Sequence, residues 1–294
     1  GSPSFRQFLE ENRSDLRSDV IIVADSSNWT TEVPALTTTL RGLVSQVIEI
    51  RTLEHALHSG MYGGVVPDAN LALIRLLASL HDEKGNVAVS GLHSTSAANL
   101  DYSEDDLRRD AGVLQQVDLI GEGTILDRIW TKPSITVIGI DSPSVAISSN
   151  TLMPSARAKI SLRLAPGDNP DSALEALRAH LLANLPFGAQ LTFGDIELGK
   201  PFQTDANGWA KSTMDLALSL AWGAKSVDIG IGGSIPFIAD LLELFPDAQI
   251  LVTGVEDPDS RAHSPNESLH LETWKKAIVA EALFLFAGNQ ASFS

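Results

Sequence analysis

D-V-I-I-V-A-D-S-S-N-W, residues 19–29, decides how the chain is read. Val20, Ile21, Ile22, Val23 and Ala24 form an unbroken apolar run between an acidic residue and a polar Asp-Ser-Ser-Asn turn. A strand with no alternation has no solvent face, and such strands belong to sheets covered on both sides. Asp25 then falls at the carboxyl end of that strand, where open α/β sheets collect ligands and catalytic groups. Two readings of Asp25 follow: a turn residue bonding its own backbone, or a metal ligand or acid/base group.

Working outward, the last third repeats the pattern. Residues 210–222 and 235–244 have helical periodicity, 225–231 and 249–255 read as buried strands, and a long helix from Leu271 to Phe286 is expected to stop at Gly288. This is parallel β-α-β-α wiring. Between lies a different module. Residues 43–50, 134–140, 158–164 and 189–193 read as strands and 86–89 as a short one. Asp68 caps a helix to Leu80, and Leu174, Leu177, Leu181 and Leu185 line one face of another. The pattern is a split βαβ, two-layer arrangement. The fold class expected is therefore α/β: a parallel-sheet, three-layer domain at 1–42 and 199–294, interrupted by an inserted two-layer, ferredoxin-like domain at 43–198.

The 294 residues are enough for a large core, and 44% hydrophobic with 20% charged residues is a globular composition. A formal net charge of −16 and no basic stripe argue against nucleic acid and anionic membrane partners. No apolar run approaches the roughly 18 residues of a membrane span, and a cytoplasmic location is expected. With no cysteine, disulfides and thiolate sites are excluded, and any metal falls to His, Asp and Glu.

If the large sheet is parallel, three loops share one edge. Asp25 follows the first strand, Gly232-Gly233-Ser234-Ile235-Pro236 the second, and the loop holding His263 the third. The glycine turn opens a helix, where bare N–H groups and Ser234 favour an anion, although helices also begin this way simply to turn. Ser264 and Glu267 have capping-box spacing ahead of the final helix. His58 precedes a glycine-rich loop, H-S-G-M-Y-G-G. His55, His81, His93, His180 and His270 read as structural or solvent-facing. Arg163 interrupts a strand pattern in S-L-R-L-A-P, and a guanidinium there needs a carboxylate, from the protein or from a substrate.

These segments together resemble one family. L-H-S-G-M-Y-G-G, S-L-R-L-A-P, G-G-S-I-P and A-H-S-P-N-E occur in the order found in the dinuclear-metal aminoacylase, carboxypeptidase G and carnosinase family of exopeptidases. V-A-D-S-S-N-W followed by L-R-G is similar to that family's segment around its third metal ligand, and W-T-K-P-S-I-T-V-I-G-I resembles the dipeptidase branch. The resemblance implies Asp25 as ligand of one metal and His263 of the other. It implies that His58 reaches across a dimer to stabilise an oxyanion, with Asn150 or Thr151 as a second reach-across contact. Arg163, Gly233 and Ser234 would hold the substrate's C-terminal carboxylate. The cofactor implied is a pair of divalent ions, zinc first, manganese or cobalt as alternatives.

The same resemblance sets an expectation about the start of the chain. The family's first ligand, bridging Asp and adjacent Glu pair precede the Asp25 strand, and a Gly-Ser closely follows that pair, as at Gly1-Ser2. The sequence is read as the C-terminal part of a homodimeric metallo-dipeptidase, with the general base upstream and weak or no metal binding and no hydrolysis by these residues alone. The alternatives are an N-acyl-amino-acid deacylase of the acetylornithine or succinyl-diaminopimelate type, and a non-catalytic dimerisation or binding module.

Overall fold

The computed structural model describes residues 4–262 and 264–291. Helix α1 (Phe5–Glu11) precedes β1 (Val20–Ala24) and β2 (Ala35–Leu40). Strand β3 (Gly42–Arg51) leads to β4 (Leu57–His58), α2 (Ser59–Tyr62), α3 (Ala69–Ala78) and α4 (Glu104–Ala111). Next come β5 (Ser134–Asp141), β6 (Thr151–Leu152), β7 (Ser155–Leu164), α5 (Pro170–Ala183) and β8 (Gln190–Gly199). The chain continues with β9 (Phe202–Gln203), α6 (Trp209–Trp222), β10 (Val227–Ile231), α7 (Pro236–Leu244), β11 (Gln249–Thr253) and α8 (Leu271–Ala291). These elements form two compact units: residues 1–40, 97–115 and 202–294, and residues 41–96 and 116–201. Residues 97–115, which the sequence encloses within the second, group with the first.

In the first unit the sheet runs β1-β11-β2-β10, with β9 beside β2. Val23, Ile250 and Val252 pack against α1 and α7 through Leu9, Ile238 and Leu241. On the opposite face Val20, Ile22 and Leu251 meet α6 and α8 through Met214, Leu218, Ala280 and Phe284. Apolar partners on both sides are the physical reason β1 needs no polar alternation.

The sheet is mixed rather than parallel throughout. β1 runs parallel to β11 and β10 parallel to β2, but β2 is antiparallel to β11. Strand β2 reads A-L-T-T-T-L, which looks like a polar connection, yet Thr37 is fully buried and its hydroxyl bonds that of Ser26. A β-branched hydroxyl suits a strand once it finds a partner.

The second unit is an antiparallel sheet ordered β5-β7-β3-β8, with α3 between β3 and β5 and α5 between β7 and β8 in the chain. This is the ferredoxin-like arrangement. Val44, Ile48, Ile160, Leu162 and Leu164 form one core with Leu73, Leu76, Leu177 and Leu181 of α3 and α5. Asp68 caps α3, its Oδ1 accepting from the Leu71 N–H at 3.0 Å.

Three local expectations are corrected. Residues 86–89 make only a bridge between His81 and Val87, too little pairing for a strand. Helix α8 passes through Gly288, which lacks the positive φ of a terminating glycine. Ser264 and Glu267 close a turn, Glu267 N–H to Ser264 O at 3.2 Å, ahead of α8 rather than capping it. His270 serves that end instead, its Nδ1 accepting from the Thr273 N–H at 3.3 Å. No helix among the described residues is long and apolar enough to cross a membrane.

Candidate functional site

Asp25 is exposed at the carboxyl end of β1, and the loop it opens is stitched to the loop after β11. Asn28 is the stitch. Its N–H donates to Glu256 O at 2.7 Å, its Nδ2 to Gly254 O at 3.1 Å, and its Oδ1 accepts from Ala35 N–H at 3.3 Å. The two loops pass so closely that a Cβ on Gly254 would collide with the Ser26 carbonyl, so only glycine fits there. Ser260, buried in the second loop, accepts from the Asp257 N–H at 2.9 Å. Asp25 thus stands on a fixed turn, at the sheet edge shared by β1 and β11.

His263, the other expected ligand, lies outside the described residues. Gly233 and Ser234 are half-buried in the turn after β10, where α7 begins without a capping side chain. Because β10 runs opposite to β1 and β11, that turn leaves the sheet at the end away from Asp25. The shared edge inferred for three loops therefore holds only for Asp25 and the loop after β11. A parallel sheet would have aligned all three, and β2 reverses the direction.

Residues 97–115 bring a further aromatic element to the Asp25 turn. Trp29 meets Tyr102 edge-to-face, with ring centroids 5.8 Å apart. The Tyr102 hydroxyl donates to Asp110 Oδ2 at 2.9 Å, and burial, then that bond, push its pKa up to about 12. Sequence reading missed this contact because the two residues are far apart in the chain.

In the second unit the structure joins three of the expected residues. His58 of β4 is the cross-strand partner of Thr151 of β6, and Asn150 O accepts from the Ser59 N–H at 2.9 Å. His58 is exposed, and its Nδ1 accepts from the Gly60 N–H at 3.1 Å. A nitrogen that accepts carries no proton, so the neutral imidazole holds its hydrogen on Nε2. The outward nitrogen of His58 is therefore a donor.

Arg163 sits on β7 among Ser155, Arg157, Lys159 and Ser161, on the sheet face turned away from α3 and α5. It is half-buried and has no ion pair or hydrogen bond among the described residues. Its cross-strand partners are Ser134 of β5 and Leu43 of β3. Arg41, just ahead of β3, donates from Nη1 to Ser134 Oγ at 2.9 Å and to the Arg128 and Lys132 carbonyls at 3.5 Å. Burial, then the Arg163 guanidinium, pull Arg41 down to about 10. Arg41 lay unremarked inside the L-R-G segment, since nothing in the sequence said which strand it would adjoin.

A zinc centre that catalyses hydrolysis takes about three protein ligands. Among the described residues no group of three or more His, Asp or Glu could hold an ion, and Asp25 offers one carboxylate. These donors do not by themselves fit a metal centre.

Residues 38–189 match the family model described as the peptidase dimerisation domain, and the chain belongs to the M20 peptidase family. It is 34% identical over 289 residues to the cysteinylglycine-S-conjugate dipeptidase of Corynebacterium striatum, covering 97% of this chain and 64% of that protein. It is 23% identical to the Beta-Ala-His dipeptidase of Rattus norvegicus, covering 92% and 58%. The chain thus spans about three fifths of the length of these relatives. Among solved structures, the dipeptidase Dug1p of Saccharomyces cerevisiae superposes with a TM-score of 0.77 at 21% identity, covering 97% of this chain and 62% of that one. The metallo-carboxypeptidase Sso-CP2 of Sulfolobus solfataricus does so with 0.78 at 20%, covering 95% and 66%. These two likenesses show the fold.

Proposed function

We propose that this chain is the substrate-holding and dimerisation portion of a metal-dependent dipeptidase. The observation that carries the reading is Arg163, a half-buried guanidinium without an ion pair or hydrogen bond among the described residues. A desolvated cation of this kind is stabilised by a carboxylate, and bidentate capture also fixes direction. A dipeptide's C-terminal carboxylate is such a partner. The names of the similar curated proteins, which are dipeptidases, favour a peptide over an N-acyl amino acid.

His58 supplies the second part of the reading. Its Nε2–H is free to stabilise the oxyanion that forms when water adds to the scissile carbonyl, and a preorganised donor of this kind contributes about 3–4 kcal/mol. Exposure of His58 and Asn150, beside Thr151, suits use by a neighbouring copy of the chain in a homodimer. Membership of this family implies a pair of divalent ions, zinc first, which in a complete centre would supply Lewis acidity. Asp25 and His263 are this chain's own residues toward them. The described residues offer too few ligands to close that site, so the complete hydrolytic centre needs groups from beyond them, and these residues alone are expected to bind metal weakly and leave dipeptides intact.

The test is hydrolysis of cysteinylglycine and β-alanylhistidine by the chain, alone and combined with the additional segment of the longer relatives, with zinc or manganese and a chelator control. Chelator-sensitive cleavage by the combination, reduced at least about tenfold in kcat/KM by Arg163→Met, is the expected result. A stable dimer that cleaves neither substrate under any of these conditions would defeat the dipeptidase reading in favour of a binding module.

A further inference from the structure

Arg41 is held to Ser134 at 2.9 Å, and Ser134 lies directly across the ladder from Arg163. The Arg41 guanidinium is thereby brought to the serine that neighbours Arg163 on the face turned away from α3 and α5. Like charges at such a spacing repel each other, and an anion between them relieves the repulsion. Two residues along the ladder, Ser45 pairs with Ser161 on the same face. Ser45 is 2% exposed, and its hydroxyl has no hydrogen-bond partner among the described residues. Buried hydroxyls are seldom left so, and this one lies two residues along the ladder from Arg163 as a spare donor.

We propose that Arg41 is a positioning residue for carboxylate capture. Anchored through Ser134, it sets a second positive charge beside Arg163 and keeps the Arg163 fork from folding onto its own strand. The ligand class is a small molecule with a free carboxylate, and Ser45 contributes a hydrogen bond at the floor of the site. This rests on the reading of Arg163 as the carboxylate holder and adds to it the group that orients that residue.

The experiment is calorimetric titration of the whole chain with alanylglycine and, separately, with alanylglycine amide, which lacks the charge. The parent is expected to prefer the acid, and Arg163→Met to lose that preference. Arg41→Met is expected to weaken the acid about tenfold, the size of one charge-assisted hydrogen bond, while leaving affinity for the amide unchanged. Arg41→Lys should restore most of the loss. Ser134→Ala, which removes the anchor but no charge, should lower the preference several-fold and stands in if Arg41→Met fails to fold. Equal weakening of acid and amide by Arg41→Met would make Arg41 merely structural, and unchanged acid affinity would also overturn the proposal. If the parent shows no preference for the acid, the Arg163 reading fails first and this one with it.

Discussion

Replacing Asn28 by Ala removes the stitch between the Asp25 loop and the loop after β11. Asn28 is 3% exposed, and its side chain makes bonds of 3.1 and 3.4 Å to the Gly254 and Glu256 carbonyls and one of 3.3 Å from the Ala35 N–H. Each neutral bond contributes about 1 kcal/mol net, and a buried group left without a partner costs about 1–3 kcal/mol. Giving full weight to the two shorter bonds, and letting water reach part of the loop, predicts a loss of about 2–4 kcal/mol. In a unit of this size that lowers the melting temperature by about 5–15 °C. Asn28→Asp sharpens the test. It retains an acceptor for Ala35 but turns a carboxylate oxygen toward two carbonyls, raising that carboxyl's pKa in the folded state. The native state then holds a proton the unfolded state has released, so stability falls as pH rises above about 4. The assay is urea unfolding of parent and both variants across pH, followed by tryptophan fluorescence. If Asn28→Ala unfolds within about 0.5 kcal/mol of the parent, or Asn28→Asp is insensitive to pH, Asn28 does not join these loops.

Two further outcomes are expected. Asp68→Ala removes the cap of α3 and should cost about 1 kcal/mol, with faster amide exchange at Leu71, whereas Asp68→Asn should restore most of both. Tyr102 should ionise near 12 in a tyrosinate absorbance titration. Its raised pKa adds stability that is complete below about 10, its unfolded value, and lost as pH climbs through about 12. Tyr102→Phe should abolish that high-pH decline.

The core of each unit was legible because periodicity reports burial directly. Val20–Ala24 and the leucines of α5 each announced their surroundings. Strand β2 was not, because Thr37–Thr39 look like surface until a partner such as Ser26 is supplied. That omission had a consequence for the site. Without β2 the sheet reads as parallel, and the turn at Gly232–Ser234 is drawn to the edge that holds Asp25. Arg163 announced itself as an anomaly, but whether the protein supplies its carboxylate depends on neighbours in three dimensions. The same holds for Arg41, whose relation to Arg163 runs through a serine on a third strand.

The pairing of β1 with β11 also has a meaning in time. Val20 takes its place beside Gln249, more than two hundred residues later in the chain. At a synthesis rate of about 5–20 residues per second, the V-I-I-V-A run leaves the ribosome roughly 10–45 s before its neighbour exists. Every pairing of the β5-β7-β3-β8 sheet is complete within that interval. The second unit can therefore fold first, while one of the most apolar segments of the first waits unpaired, so the unit whose strands begin the chain is the later of the two to close.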